Sequence, residues 1–276
     1  MSKSAIKEPQ LAADGLDSAV SAWLWLVRLS FQRQWWSVQS LVAVILVLLV
    51  GVLVAVRQAF VEEWETVLFA KVIIVNLYVF LLPLLCLCFG TQALGGDWEE
   101  RSLVWLLTRP LPRPAIYLAK FVAALPWTLG LTLGGLTLVG ALAGQAGLEA
   151  VAYFLPAIAL GTVAYLSLFQ LLGAWFRRST VIGVVYSFVL EALVGTMPGL
   201  VKRASIGFYI RCAIFDRAAD VGLATQQGRP AVAPDNASFY MSVDGTVAVT
   251  MLVLITVGLL VAGMVVFSRR EYHDLT

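Results

Sequence analysis

Six long apolar runs divide the chain: 38–56, 72–96, 121–148, 150–176, 180–201 and 245–268. Each is near or above the roughly 20 residues that a helix needs to cross the hydrocarbon core of a bilayer. None alternates apolar and polar positions as a barrel strand would, and in lipid only helices and closed barrels pair all their backbone groups. The pattern predicts an all-α, polytopic membrane protein with six transmembrane helices. They fall at about 38–56, 72–94, 115–143, 151–176, 180–200 and 246–267, with a long outer segment over 201–245.

Ahead of the first run, Val20, Trp23, Leu24, Val27, Phe31 and Trp35 share one stripe of a helix, and Arg28, Gln32 and Arg33 lie off it. Indole rings suit the headgroup zone. Two readings stand: a helix lying along the cytoplasmic leaflet, or one packed on the bundle. The first long apolar run starts only near residue 38, too far in for a cleavable signal peptide. Residues 1–17 read as a cytoplasmic tail and 18–276 as a single transmembrane domain. No repeat of fixed period is visible, which argues against a fold of obvious duplicated halves.

Composition sharpens this picture. The chain has 276 residues, 60% hydrophobic and 13% charged, against about 45–50% and 25% in soluble domains. A soluble enzyme and a disordered chain are both excluded. A net charge of +2 carries no basic stripe, so nucleic acid is not a partner. With the N-terminus inside, 12 of the 19 Lys and Arg fall on the cytoplasmic side and the other seven outside. Arg177-Arg178 and Arg269-Arg270 abut the ends of runs, where this bias acts most strongly. Both termini are therefore expected in the cytoplasm, in a cytoplasmic membrane. The single His, His273, lies near the end of the chain, and the three Cys (86, 88, 212) suggest neither a disulfide framework nor a metal site. Cys86 and Cys88 read as buried small residues.

The segment between the second and third runs carries the most chemistry. Gly95 and Gly96 are expected to end the second span, and Asp97 to cap a new helix with Glu100 completing a capping box. Leu103, Leu106 and Leu107 give that helix one apolar side, and Arg109 before Pro110 should stop it. As a run of charges alone, this is an ordinary solvated loop.

The residues in order tell more. Glu99 or Glu100, Ser102, Leu106 with Leu107, Pro110, Arg113 and Lys120 resemble the first cytoplasmic loop of permeases of the type-2 ABC exporter family. That loop typically reads acid, small residue, Thr, apolar pair, Pro, Arg and then Lys. Arg101 stands where Gly is common and Ser102 where Thr is common. The resemblance extends to the layout of the whole chain, and implies that the loop is a coupling helix resting on a separate ATPase subunit. Asp97, Glu99, Glu100, Arg101 and Arg109 would then face the ATPase. It further implies a path for cargo between two permease copies, or one copy and a paralogue. The chain itself has no GxxxxGK[ST] phosphate loop, so ATP and Mg would belong to the partner. No cofactor or metal is expected on this chain.

Glu191 is the one charge in the fifth run. A carboxylate at mid-membrane costs about 2.5–3.5 kcal/mol to insert, so it should face a cavity, water or a partner. It either lines the cargo path or bonds a hydroxyl or backbone group of a neighbour. The apolar stretch 205–215 is too short to span and is either re-entrant or a surface helix on the outer leaflet. Small residues four apart (Gly130 and Gly134, Gly140 and Gly144, Gly51 and Ala55, Gly258 and Ala262) allow close helix packing, within the chain or across a dimer seam. Two other functions were open to such a chain. A non-transporting membrane anchor would use the loop as its docking site. An intramembrane protease resembling the prenyl-protein type would use Glu99-Glu100, but no span supplies the His it needs.

Overall fold

A computed structural model of the chain describes residues 8–35, 37–60, 64–99, 112–193, 201–223, 232 and 243–269. Every regular element among them is a helix. Helix α1 covers Glu8–Trp35 and α2 covers Val38–Phe60. Helix α3 runs over 66–99, with a wider π stretch at Ala70–Tyr78. Helices α4 (Arg113–Leu142) and α5 (Gln145–Trp175) follow. Next come α6 over 179–193, whose second half Ser187–Leu193 is again π, then α7 (Ile206–Asp220) and α8 (Gly245–Arg269).

Five of these helices, α2, α3, α4, α5 and α8, are long and apolar enough to cross a membrane. At 1.5 Å per residue, the 31 residues of α5 extend about 46 Å. The sixth expected span is different. Helix α6 is described only over 179–193, too short to cross by itself, and 194–200 lie outside the described residues.

Helix α5 is the hub, touching α3, α4, α6, α7 and α8. Glycines set the closest crossings. A Cβ at Gly90 would lie 2.6 Å from Phe169 Cβ and 3.2 Å from the backbone nitrogen of Gln170, so α3 and α5 meet almost backbone to backbone. Gly144, at φ +78°, makes the tight turn from α4 to α5, and Gly140 packs against Gly147 across it. Gly51 also packs within the chain: a Cβ there would lie 3.1 Å from Leu142 Cδ1. Gly130, Gly134 and Gly258 face open space instead. The outer faces of α2 and α8 carry exposed Leu, Val and Ile, as helices do toward lipid.

The second candidate span closes at Gly96, as expected of Gly95 and Gly96, but the expected helix cap at Asp97 is corrected. Helix α3 continues through both and on to Glu99, so Asp97 lies inside it rather than capping a new helix. The glycines have a packing use: a Cβ at Gly95 would lie 2.9 Å from Ser179 Oγ, where α6 begins. Intrahelical hydrogen bonding and packing outweigh the roughly 1 kcal/mol that a helical Gly costs.

Helix α1 packs on α4, where Trp23 Nε1 donates to the Ala115 carbonyl (3.0 Å). Leu26 is buried there, yet Leu24, Trp25 and Leu29 of the same helix are exposed.

Candidate functional site

Glu191 lies in the π stretch at the end of α6 and is 4% exposed. Its carboxylate accepts from Ser205 Oγ (2.6 Å), the backbone amides of Ile206 and Gly207 (both 3.1 Å), and the Tyr186 hydroxyl (3.3 Å). These amides are the first of α7, the groups that a helix N-terminus leaves unpaired. Ser205 adds a local cap, its Oγ accepting from the Phe208 amide (3.2 Å). The acid of one helix thus closes the positive end of the next.

Gly207 permits this approach, because a Cβ there would lie 2.5 Å from Glu191 Oε2. Around the joint, Tyr165 stacks on Phe169, and Phe169 meets Tyr186 edge-on. The Tyr165 hydroxyl is buried beside the Glu191 carboxylate and Gly207.

Helix α7 does not lie on a surface. Phe208, Ile210, Ile214 and Ala218 are buried, and it packs between α5 and α8. Ile210 meets Gly161 at the midpoint of α5, and Asp216 meets Gly245 at the start of α8. Helix α6 climbs beside α3 from the other end, pairing Thr180 with Thr91, Gly183 with Leu87 and Phe188 with Phe80. The two short helices therefore follow each other through the bundle, each about 22 Å long, with Glu191 at their junction. Together they match the length of α5.

Sequence reasoning found Glu191 but not Tyr186, five residues before it in α6, nor Gly207 and Tyr165, which come from other elements. Ser205 before an apolar run was the one local signal for the start of α7.

None of Glu191's partners belongs to the 97–120 set. Of that set, Asp97 and Glu99 lie on the last turn of α3. Glu100, Arg101, Ser102, Leu106, Leu107, Arg109 and Pro110 lie outside the described residues. Arg113 opens α4, and its Nη1 donates to the Ser268 carbonyl at the end of α8 (3.1 Å). Lys120, two turns further along α4, is buried at 8% exposure. The same end of the bundle gathers α1, the end of α3, the 176–178 turn and the end of α8.

Two cavities flank the bundle. One of about 400 Å³ lies at that end, between α1, α3 and the first turns of α4. The other, about 530 Å³, lies at the opposite end between α5, α7 and α8, with Asp216, Arg217 and Asp220 at an otherwise largely apolar wall. Among the described residues, no three His, Cys, Asp or Glu side chains come together as metal ligands would.

No curated protein matches the sequence. A family model described as "ABC-2 family transporter protein" matches residues 37–272, from the start of α2 to beyond the end of α8, with Glu191 and the whole 97–112 segment inside it. By that match the chain belongs to the ABC-2 transporter family and is a multi-pass membrane subunit of an ABC transporter.

Proposed function

We propose that this subunit is the membrane half of an ATP-driven exporter. Two copies, or one copy and a paralogue, enclose the cargo path. A separate ATPase subunit binds ATP and Mg, and docks on the 97–110 segment through Asp97, Glu99, Glu100, Arg101, Ser102 and Arg109. Pro110 then ends the segment, and Leu106 and Leu107 hold it to its own bundle. Both termini lie in the cytoplasm, and α1 lies in the inner interface with Leu24 and Trp25 toward lipid.

The observation that carries this reading is the family match across 37–272, which spans the loop that resembles a coupling helix. The flanks of that loop support it. Helix α3 passes the loop into α4, and Arg113 ties the start of α4 to the end of α8. A push on the loop would thus reach three spans at once. Helices α6 and α7 form the sixth crossing in two pieces, with Glu191 as the joint rather than a cargo ligand: all four of its donors come from within the chain.

Purification with the ATPase in lipid tests the reading. Charge reversal at Glu99, Glu100 and Arg101 together should abolish transport-linked ATPase stimulation while the fold, read by thermal unfolding, stays intact. An ATPase that does not bind, or whose rate ignores these changes, refutes coupling through this loop and leaves the membrane-anchor function.

A further inference from the structure

We propose that the cavity of about 400 Å³ between α1, α3 and α4 binds the phosphodiester headgroup of an anionic, hydroxyl-bearing phospholipid. Among the described lining residues the charge is of one sign: Arg33 comes from α1 and Lys120 from α4, with no acid. Both cations also interact with other groups of the protein. Between them stand the amides of Gln34, Gln39 and Gln92. Among the described residues, Gln34 Oε1 is buried with no hydrogen-bond partner, and it can accept from a donor such as a headgroup hydroxyl.

Position selects a lipid over a free anion. Along α3 the lining runs from Gly96 to Cys88, about 12 Å, and Lys120, two turns into α4, keeps a charge in its deeper part. The volume holds a headgroup and glycerol but not two acyl chains. Those have a place to go: Val38, on the wall, is 74% exposed, and Leu41 one turn below is 61% exposed. The chains would lie along the lipid face of α2. The bound headgroup would pin α1 to α3 just before the 97–112 segment.

The test uses the full chain purified in detergent, with native mass spectrometry and thermal unfolding as readouts. Phosphatidylglycerol is compared with phosphatidylcholine of the same acyl chains, and with inorganic phosphate. The wild type should retain one phosphatidylglycerol with at least a tenfold preference over phosphatidylcholine. Arg33→Gln and Lys120→Gln should each reduce that preference about fivefold, and the pair should remove it. Because Lys120 is buried, Gln92→Leu at the wall gives a separate reading: it should weaken retention while the fold stays intact. Arg177→Gln, outside the cavity, should change nothing. Equal retention of the two lipids, or undiminished retention by the double variant, overturns the site. Stabilisation by inorganic phosphate equal to that by phosphatidylglycerol overturns the lipid assignment. Retention is read on the chain alone, so its failure leaves the exporter reading standing.

Discussion

Replacing Glu191 by Ala removes a two-oxygen acceptor from the start of α7. The backbone amides of Ile206 and Gly207 then lose the carboxylate that now holds them at 3.1 Å, in a buried place. An orphaned buried donor costs about 1–3 kcal/mol. Ser205 Oγ still accepts from Phe208, so the helix keeps one cap and the loss is not larger. Two amides at moderate cost give about 3 kcal/mol, or roughly a hundredfold shift toward local opening of α7. The protein carries its own reporter, since Cys212 lies in α7 at 1% exposure. In a background with Cys86 and Cys88 changed to Ser, maleimide labelling of Cys212 should accelerate about a hundredfold in Glu191→Ala. Glu191→Gln keeps one oxygen but turns an amide donor toward other donors, so it should fall between. Labelling of Glu191→Ala at the wild-type rate, with an unchanged melting temperature, would refute the capping argument. It would also return Glu191 to the cargo path.

Three further outcomes follow from packing and pairing. Gly90→Val places a side chain against the backbone of Gln170 and should destabilise by about 1–3 kcal/mol or more, read as a fall in apparent Tm, whereas Gly130→Ala meets nothing within 4 Å and should be neutral or slightly stabilising. Tyr78→Phe removes a buried hydrogen bond from the hydroxyl to the Thr132 carbonyl and should cost about 1 kcal/mol, a Tm decrease of about 2–4 °C. Trp23→Phe breaks the bond from α1 to Ala115 and should increase tryptic cleavage after Arg28 and Arg33, with little change in overall Tm.

The sequence alone determined the class and most of the crossings. An uninterrupted apolar run of bilayer length has one solution in lipid, so α2, α3, α4, α5 and α8 were legible, although α3 and α5 start six residues earlier than expected. Residue order in the 97–120 segment was enough to suggest the family. Local rules put a new helix start at Asp97 where α3 instead runs on to Glu99, because a glycine's helix-breaking tendency is a small energy beside the contact that Gly95 makes with Ser179. They left α7, whose 15 residues are too few to span, as either a re-entrant or a surface helix, and only the tertiary structure shows it buried between α5 and α8. Glu191 and Gly207 are 16 residues apart in sequence, and the charge that looked costly in the bilayer is matched by amides from another helix. Hydrophobic length is a property of a segment and can be read from it. The pairing of a buried carboxylate with a distant helix end depends on which elements the fold brings together, and that is decided in three dimensions.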